Sequence, residues 1–374
     1  MPGLLPNIDP DGLLEYSVVY TDRSLNHMSH SFQTVMNDVS FSLKKVYNSE
    51  SVVLVPGGGT YGMEAVARQF ATDKDCLVIR NGWFSYRWSQ IFEMGNIPSK
   101  LTVLKASRKI DGPQEPFSPV DVDLVIEKIK TEKPAMVFAP HVETSAGIIL
   151  PDDYIKSVSE AVHSVGGMFV LDCIASGAIW VDMEKCGVDV LVSAPQKGWS
   201  ASPAFGMVML SKNASEKILN TQSTSFSCDL LKWFQIMKTY ENGGHAYHAT
   251  MPTDAIKHFR DTINETAEFG FDRAQDKQQE LGDRVRELLN KHHFISVAAD
   301  GFHAPGVVVS YTKDQAVHNG SKFKDMGIQI AAGVPLQCDE GDDYQTFRLG
   351  LFGLDKLKNV DAAVQKLEDA FNNL

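Results

Sequence analysis

Several features that would settle the class of this 374-residue chain at once are missing. No apolar run approaches the roughly 18 residues of a membrane-spanning helix, so no membrane partner is expected. Positive charge is scarce. The chain has 35 Lys and Arg against 47 Asp and Glu, a formal net charge of −12, with no basic block and no interleaving of aromatic and basic residues. That balance excludes a nucleic-acid backbone as partner. The five cysteines (Cys76, Cys173, Cys186, Cys228 and Cys338) are scattered, odd in number and form no C-x-x-C pair. They fit free thiols in a reducing compartment, not a disulfide frame or a zinc site. No two histidines stand four apart, so no helical metal pair is expected. No Gly-Lys pair occurs, which excludes a Walker-type phosphate loop. The opening "MPGLLPNIDPDG" has no basic segment leading into an apolar one, and a cytoplasmic protein is expected.

What is present is regular alternation. Short β-branched runs at 51–55, 76–80, 135–140, 168–172, 188–193 and 205–211 read as buried strands. Between them, "YGMEAVARQFA", "DVDLVIEKIK" and "DDYIKSVSEAVHSVGG" read as helices. Alternation of this kind implies α/β architecture with a mostly parallel central sheet. Beyond about residue 253 the texture changes to a long charged helical stretch, three short strands and a final amphipathic helix, a smaller α+β domain. The boundary falls between 253 and 275. The working division is an N-terminal segment 1–20, a large domain 21–255 and a small C-terminal domain 256–374.

In such sheets ligands bind beyond the carboxyl ends of the strands. The residues there are Gly57-Gly58-Gly59-Thr60, then the aromatic loop "NGWFSYRW" (81–88), then "HVETSAG" (141–147) with hydroxyls at Thr144 and Ser145. Asp172 closes an apolar strand, and Lys197 follows the next strand in "SAPQKG". Each alone also fits an ordinary turn, core aromatic, helix cap or salt bridge. Together they match what pyridoxal 5′-phosphate requires: a Schiff-base lysine, a carboxylate at the ring nitrogen, an aromatic stacker and a glycine-threonine turn for the phosphate.

With those motifs the chain resembles the class V aminotransferases of PLP fold type I, near the alanine–glyoxylate / serine–pyruvate group, over roughly residues 25–374. The pairing of Asp172 with "SAPQKG" and the segment "TFRLGLFG" are its most specific pieces. The resemblance implies Lys197 and Asp172 as catalytic residues. It implies Gly58, Gly59, Thr60, Phe84, Thr144 and Gln196 as further cofactor contacts, with Phe84 where the family usually has tryptophan. Arg348 is implied as the clamp on the substrate carboxylate, and Ser29 as a residue near the substrate pocket. The segment "YHAT" implies that Tyr247 and Thr250 reach the phosphate of the other subunit, hence a homodimer with shared sites. The opening "NIDPDG" departs from the family's usual proline–glycine–proline start.

The activity so implied is a PLP-dependent transaminase. It would move an amino group from a small amino acid, of alanine or serine type, to a small 2-oxo acid of glyoxylate or pyruvate type. A lyase of the same fold and a transaminase of aminophosphonates or aminosulfonates stay open. Gln196 stands where a cysteine desulfurase usually has histidine, which disfavours Cys338 as a nucleophile.

Overall fold

The computed structural model describes residue 9 and residues 12–110, 112–341 and 344–374. Most of "NIDPDG" therefore lies outside the described residues. Seven strands form the central sheet: β1 (Ser51–Pro56), β2 (Asp75–Arg80), β3 (Lys100–Lys105), β4 (Met136–Pro140), β5 (Met168–Asp172), β6 (Val190–Ser193) and β7 (Phe205–Leu210). Their order is β1-β7-β6-β5-β4-β2-β3. All neighbouring pairs are parallel except the two made by β7. The sheet is thus mostly parallel, and its innermost strands β4 to β6 are buried at every position. Burial on both faces is why these strands read as unbroken apolar runs and not as alternating ones.

Helices α1 (His30–Tyr47), α2 (Gly59–Phe70), α3 (Trp83–Gly95), α4 (Val122–Glu132), α5 (Asp152–Ser164), α6 (Leu230–Glu241) and α7 (Thr253–Phe269) flank this sheet. The apolar face expected for α4 is there: Val125 and Ile129 are fully buried, with Val122 and Ile126 packed partly against the core. α7 contributes Ile256, Phe259 and Ile263 to the same core. The long charged helical stretch is made of two helices, and Gly270 at φ 99° separates α7 from α8 (Phe271–Lys291). Glycine enters that backbone region without the Cβ clash other residues meet.

A second core joins Leu281, Val285 and Leu288 of α8 to β8 (Val307–Tyr311), β10 (Thr346–Gly350) and α9 (Val360–Phe371). The strand expected at "GIQIAA" shrinks to β9 (Ala331–Ala332), and the small sheet runs β8-β10-β9. A third cluster sits between the two cores, where Phe117, Val142 and Ile148 meet Val307, Val309 and Cys338. It brings β8, and Phe352 just after β10, against the segments that follow β4 and β5.

Candidate active site

The carboxyl ends of β1, β2, β4, β5 and β6 all point to one edge of the sheet, and the segments that follow them line a cavity of ≈ 160 Å³. Its walls include Gly59, Thr60, Phe84, Arg87, Thr144, Asp172, Gln196 and Lys197. Seven of those eight were expected from the sequence; Arg87 was not.

Tight backbone packing forms the glycine turn. A Cβ on Gly59 would stand 2.6 Å from Ile174 Cδ1 and 3.1 Å from Ala194 Cβ, and one on Gly206 would stand 2.9 Å from Gly62 Cα. Only glycines let α2 settle this deeply onto β7 and the end of β6. The helix starts at an N-cap, Gly58, that has no side-chain cap. Its first N–H groups therefore carry the positive end of the helix dipole toward the cavity. Arg87, one turn past Phe84 on α3, donates from Nη1 to Thr60 Oγ1 at 3.0 Å and adds full positive charge at the same place.

The segment 81–88, expected as a loop, is the start of α3. A buried carboxylate shapes it. Glu143, fully buried, accepts from the backbone N–H groups of Phe84 (3.1 Å) and Ser85 (2.9 Å) and from the hydroxyls of Ser85 and Ser145 (both 2.7 Å). It thereby caps α3 from another strand's loop, the favoured place for a negative charge. Phe84 is fixed in consequence. Its ring lies under the guanidinium of Arg87 at 5.3 Å and that of Arg348 at 5.6 Å. Glu143 stands in "HVETSAG", one residue before Thr144. The sequence gives no sign that it caps a helix 58 residues earlier.

Asp172 pairs in register with Pro140 and Val192 on the flanking strands, at the centre of the sheet. Its Oδ1 accepts from the N–H of Ile174 at 2.9 Å. Burial pushes its carboxyl up to about 7, helped by the negative Glu143 and opposed by the Ile174 N–H and by Arg87. Among the described residues no cation forms an ion pair with it, and Arg87 acts on it only at a distance. Next to it, His141 is buried with Nδ1 2.7 Å from Ser176 Oγ, and burial lowers its pKa to about 4, so the ring is neutral near pH 7.

Lys197 stands in a turn closed by Ser200 N–H to Lys197 O (3.2 Å) and Ala201 N–H to Pro195 O (3.0 Å). Gly198 permits that turn, since a Cβ there would lie 2.0 Å from the carbonyl oxygen of Gly177. The Lys197 amine is lowered from its usual pKa, first by burial and then by Arg348 and Arg87. Its Nζ lies 5.0 Å from the ring centre of Phe352, a residue the sequence reading did not single out.

Arg348, on β10, donates from Nε to Ala332 O at 2.8 Å and is lowered from its usual pKa chiefly by burial. Gly58 opens the same turn, and nothing would meet a Cβ placed on it. The remaining expected residues stand apart from the cavity within one chain. Tyr247 OH and Thr250 Oγ1 lie 3.1 Å apart on an exposed segment. Ser29 is the N-cap of α1, accepting from Phe32 N–H at 3.1 Å, and lines a separate depression with residues of the N-terminal segment. Cys338 is buried, and burial first, then Glu143 and Glu340, push its thiol up to about 12.

This donor set fits pyridoxal phosphate. An uncapped helix start beside an arginine suits a phosphate, and Asp172 suits a cationic ring N–H. Lys197 offers a partly desolvated amine.

Comparison with known proteins agrees. Residues 13–340 match the family described as Aminotransferase class-V. The alanine–glyoxylate aminotransferase 1 of Saccharomyces cerevisiae is 25% identical over 350 residues, covering 88% of this chain and 86% of the relative. A 2-aminoethylphosphonate–pyruvate transaminase of Syntrophobacter fumaroxidans is 26% identical over 327 residues, covering 86% and 82%. The solved alanine–glyoxylate aminotransferase of a Nostoc species shares the fold, with a TM-score of 0.76 at 21% identity over 92% of this chain and 88% of that one. With the family match spanning both the large sheet and the Lys197 turn, the chain belongs to the class-V aminotransferases and is a pyridoxal-phosphate-dependent transaminase of fold type I.

Proposed function

We propose that the protein transfers the amino group of a small amino acid, of alanine or serine type, to a small 2-oxo acid of glyoxylate or pyruvate type. One observation carries the site assignment: Gly59, Thr60, Phe84, Thr144, Asp172, Gln196 and Lys197, drawn from five separate strand ends, line a single cavity. Pyridoxal phosphate, when bound, supplies a carbonyl that takes up the amino group and a ring that draws electrons from the substrate's α-carbon.

The chain's own residues do the rest. Gly58, Gly59 and Thr60 at the start of α2, with Gln196 and Arg87, hold the phosphate. Phe84 supports the ring face, and Thr144 bonds the phenolic oxygen. Asp172 holds the proton of the ring nitrogen, and that cation in turn keeps Asp172 ionised. Lys197 Nζ takes the proton from the substrate α-carbon and returns it at the other end of the transfer. Its lowered pKa gives more of the free amine near neutral pH, as a general base needs. Arg348 binds the substrate carboxylate, for which a planar guanidinium is suited.

Tyr247 and Thr250 are exposed and bonded to each other, away from the cavity of their own chain. This supports a homodimer in which they serve the partner's site. The five unpaired cysteines support a cytoplasmic setting. No described helix is long and apolar enough to cross a membrane. The packing of α7 in the first core supports a division of large and small units at Gly270, later than the expected 255/256. A second reading, an aminophosphonate donor, is favoured by the similarity to the 2-aminoethylphosphonate–pyruvate transaminase.

The test is product analysis with purified, PLP-loaded protein. L-alanine, L-serine and 2-aminoethylphosphonate are each offered with glyoxylate or pyruvate. The proposal expects the oxo product of a small amino acid in equal amount to the new amino acid, and no turnover in Lys197→Ala. Turnover only with 2-aminoethylphosphonate would select the second reading. Ammonia released without an acceptor would make the protein a lyase, and activity surviving in Lys197→Ala would remove the lysine from the reaction.

A further inference from the structure

The Lys197 amine is lowered first by burial and then by two cations, Arg348 on β10 and Arg87 on α3. Asp172, at the end of β5, lines the same cavity, and Glu143 acts on both Asp172 and Arg348. Against this stands one apolar group with the right geometry. The Phe352 ring presents its negative π-face to Nζ at 5.0 Å, within the range of a cation–π contact.

The ring is fixed by its backbone. On one side, Leu351 donates its N–H to Gly306 O at 2.9 Å, and its carbonyl accepts from Gln278 Nε2 at 3.2 Å. On the other, the N–H of Leu354 donates to Ser200 Oγ at 2.9 Å. Ser200 belongs to the Lys197 turn itself, through its N–H to Lys197 O. The segment 351–354 and the lysine turn are therefore tied together at two points, one a backbone N–H to the Ser200 hydroxyl and one a ring–ammonium contact. Room for the ring comes from Gly306, where a Cβ would stand 3.1 Å from Phe352 Cε1.

We propose that Phe352 is a positioning residue for Lys197: its ring face holds the free side-chain ammonium in place, so that the amine stays over one spot whenever it is not bonded. The inference rests on the reading of Lys197 as the reacting amine. It also gives the small C-terminal unit a part in the chemistry beyond Arg348, since Phe352 follows β10 directly. A ring face favours the ammonium form, so Phe352 offsets part of what burial and the two arginines do.

The experiment uses cofactor-free, full-length protein with phenylalanine at 352 replaced in turn by 4-fluoro-, 3,5-difluoro- and 3,4,5-trifluorophenylalanine. These keep the ring's shape and drain its π-face. Competitive labelling with acetic anhydride across pH, read on the Lys197 peptide by mass spectrometry, gives the titration midpoint of the amine. The expected result is a stepwise fall reaching about half to one pH unit for the trifluoro ring. The curve of exposed Lys100 should stay unchanged in the same samples. Phe352→Leu should fall at least as far, and Phe352→Tyr should follow the unsubstituted protein. A midpoint that does not move across the fluorinated series overturns the proposal, since a purely structural ring would give that result. The readout needs no turnover, so it stands apart from the Lys197→Ala test of the reaction itself.

Discussion

Replacing Asp172 by asparagine should make the cofactor-free protein more stable and the enzyme nearly inactive. The carboxyl is 7% exposed, and its pKa rises from 3.8 to about 7, chiefly through burial. A carboxyl with a raised folded-state pKa favours folding while it is protonated, and that contribution is lost as pH rises through 7. At roughly 1.4 kcal/mol per pH unit of separation, full ionisation costs the fold ~4 kcal/mol. About 1 kcal/mol of that falls between pH 6 and pH 9. Asparagine keeps an oxygen for the Ile174 N–H and never ionises. The assay is urea unfolding of both cofactor-free proteins at pH 6 and pH 9. The wild type should lose about 1 kcal/mol more than Asp172→Asn over that interval, and pyridoxal phosphate should restore the wild type at pH 9 by binding only the folded state. Turnover of the loaded variant should fall by about a hundredfold or more, because the ring nitrogen is no longer held protonated. Equal pH dependence in the two proteins would refute the reasoning, for it would mean that the buried carboxylate already has a partner.

Two further outcomes follow from the packing around the site. Gly198→Ala places a Cβ 2.0 Å from the Gly177 carbonyl oxygen, and backbone cannot yield as a side chain would. A loss of about 3 kcal/mol or more, with weakened cofactor loading, is expected in thermal unfolding, and a loss under about 0.5 kcal/mol would contradict the described turn. The Cys338 thiol, pushed up to about 12 by burial, should resist iodoacetamide at pH 8 in the native protein and react after unfolding. Rapid native labelling would reopen a nucleophilic role for it.

The polar groups around the cavity have a common organisation. Glu143 neutralises the start of α3 and so holds Phe84, while its charge opposes ionisation of Asp172. Arg87 joins Thr60 and weighs on Lys197 from the other side. The α2 start and Arg87 thus favour an anion at one end of the cavity, while Asp172 at the other favours a cation.

Much of this was legible in the sequence because it is local. Buried strands announce themselves as apolar runs, since both faces of a parallel sheet are covered. Residues such as Asp172 and Lys197 stand out because they are polar at the points where those runs end. The glycines of the α2 turn are legible for the same reason, as backbone close to backbone leaves no other choice. Contacts between distant segments left no such mark. That "NGWFSYRW" begins a helix was decided by Glu143, 58 residues away, whose carboxylate supplies the cap no neighbour provides. That the Lys197 amine faces Arg348 and Phe352 was decided by the third core cluster, which packs the small sheet against the strand ends. Sequence spacing fixes which side chains a strand or helix can present, but the partners they meet are set by how those elements close on one another.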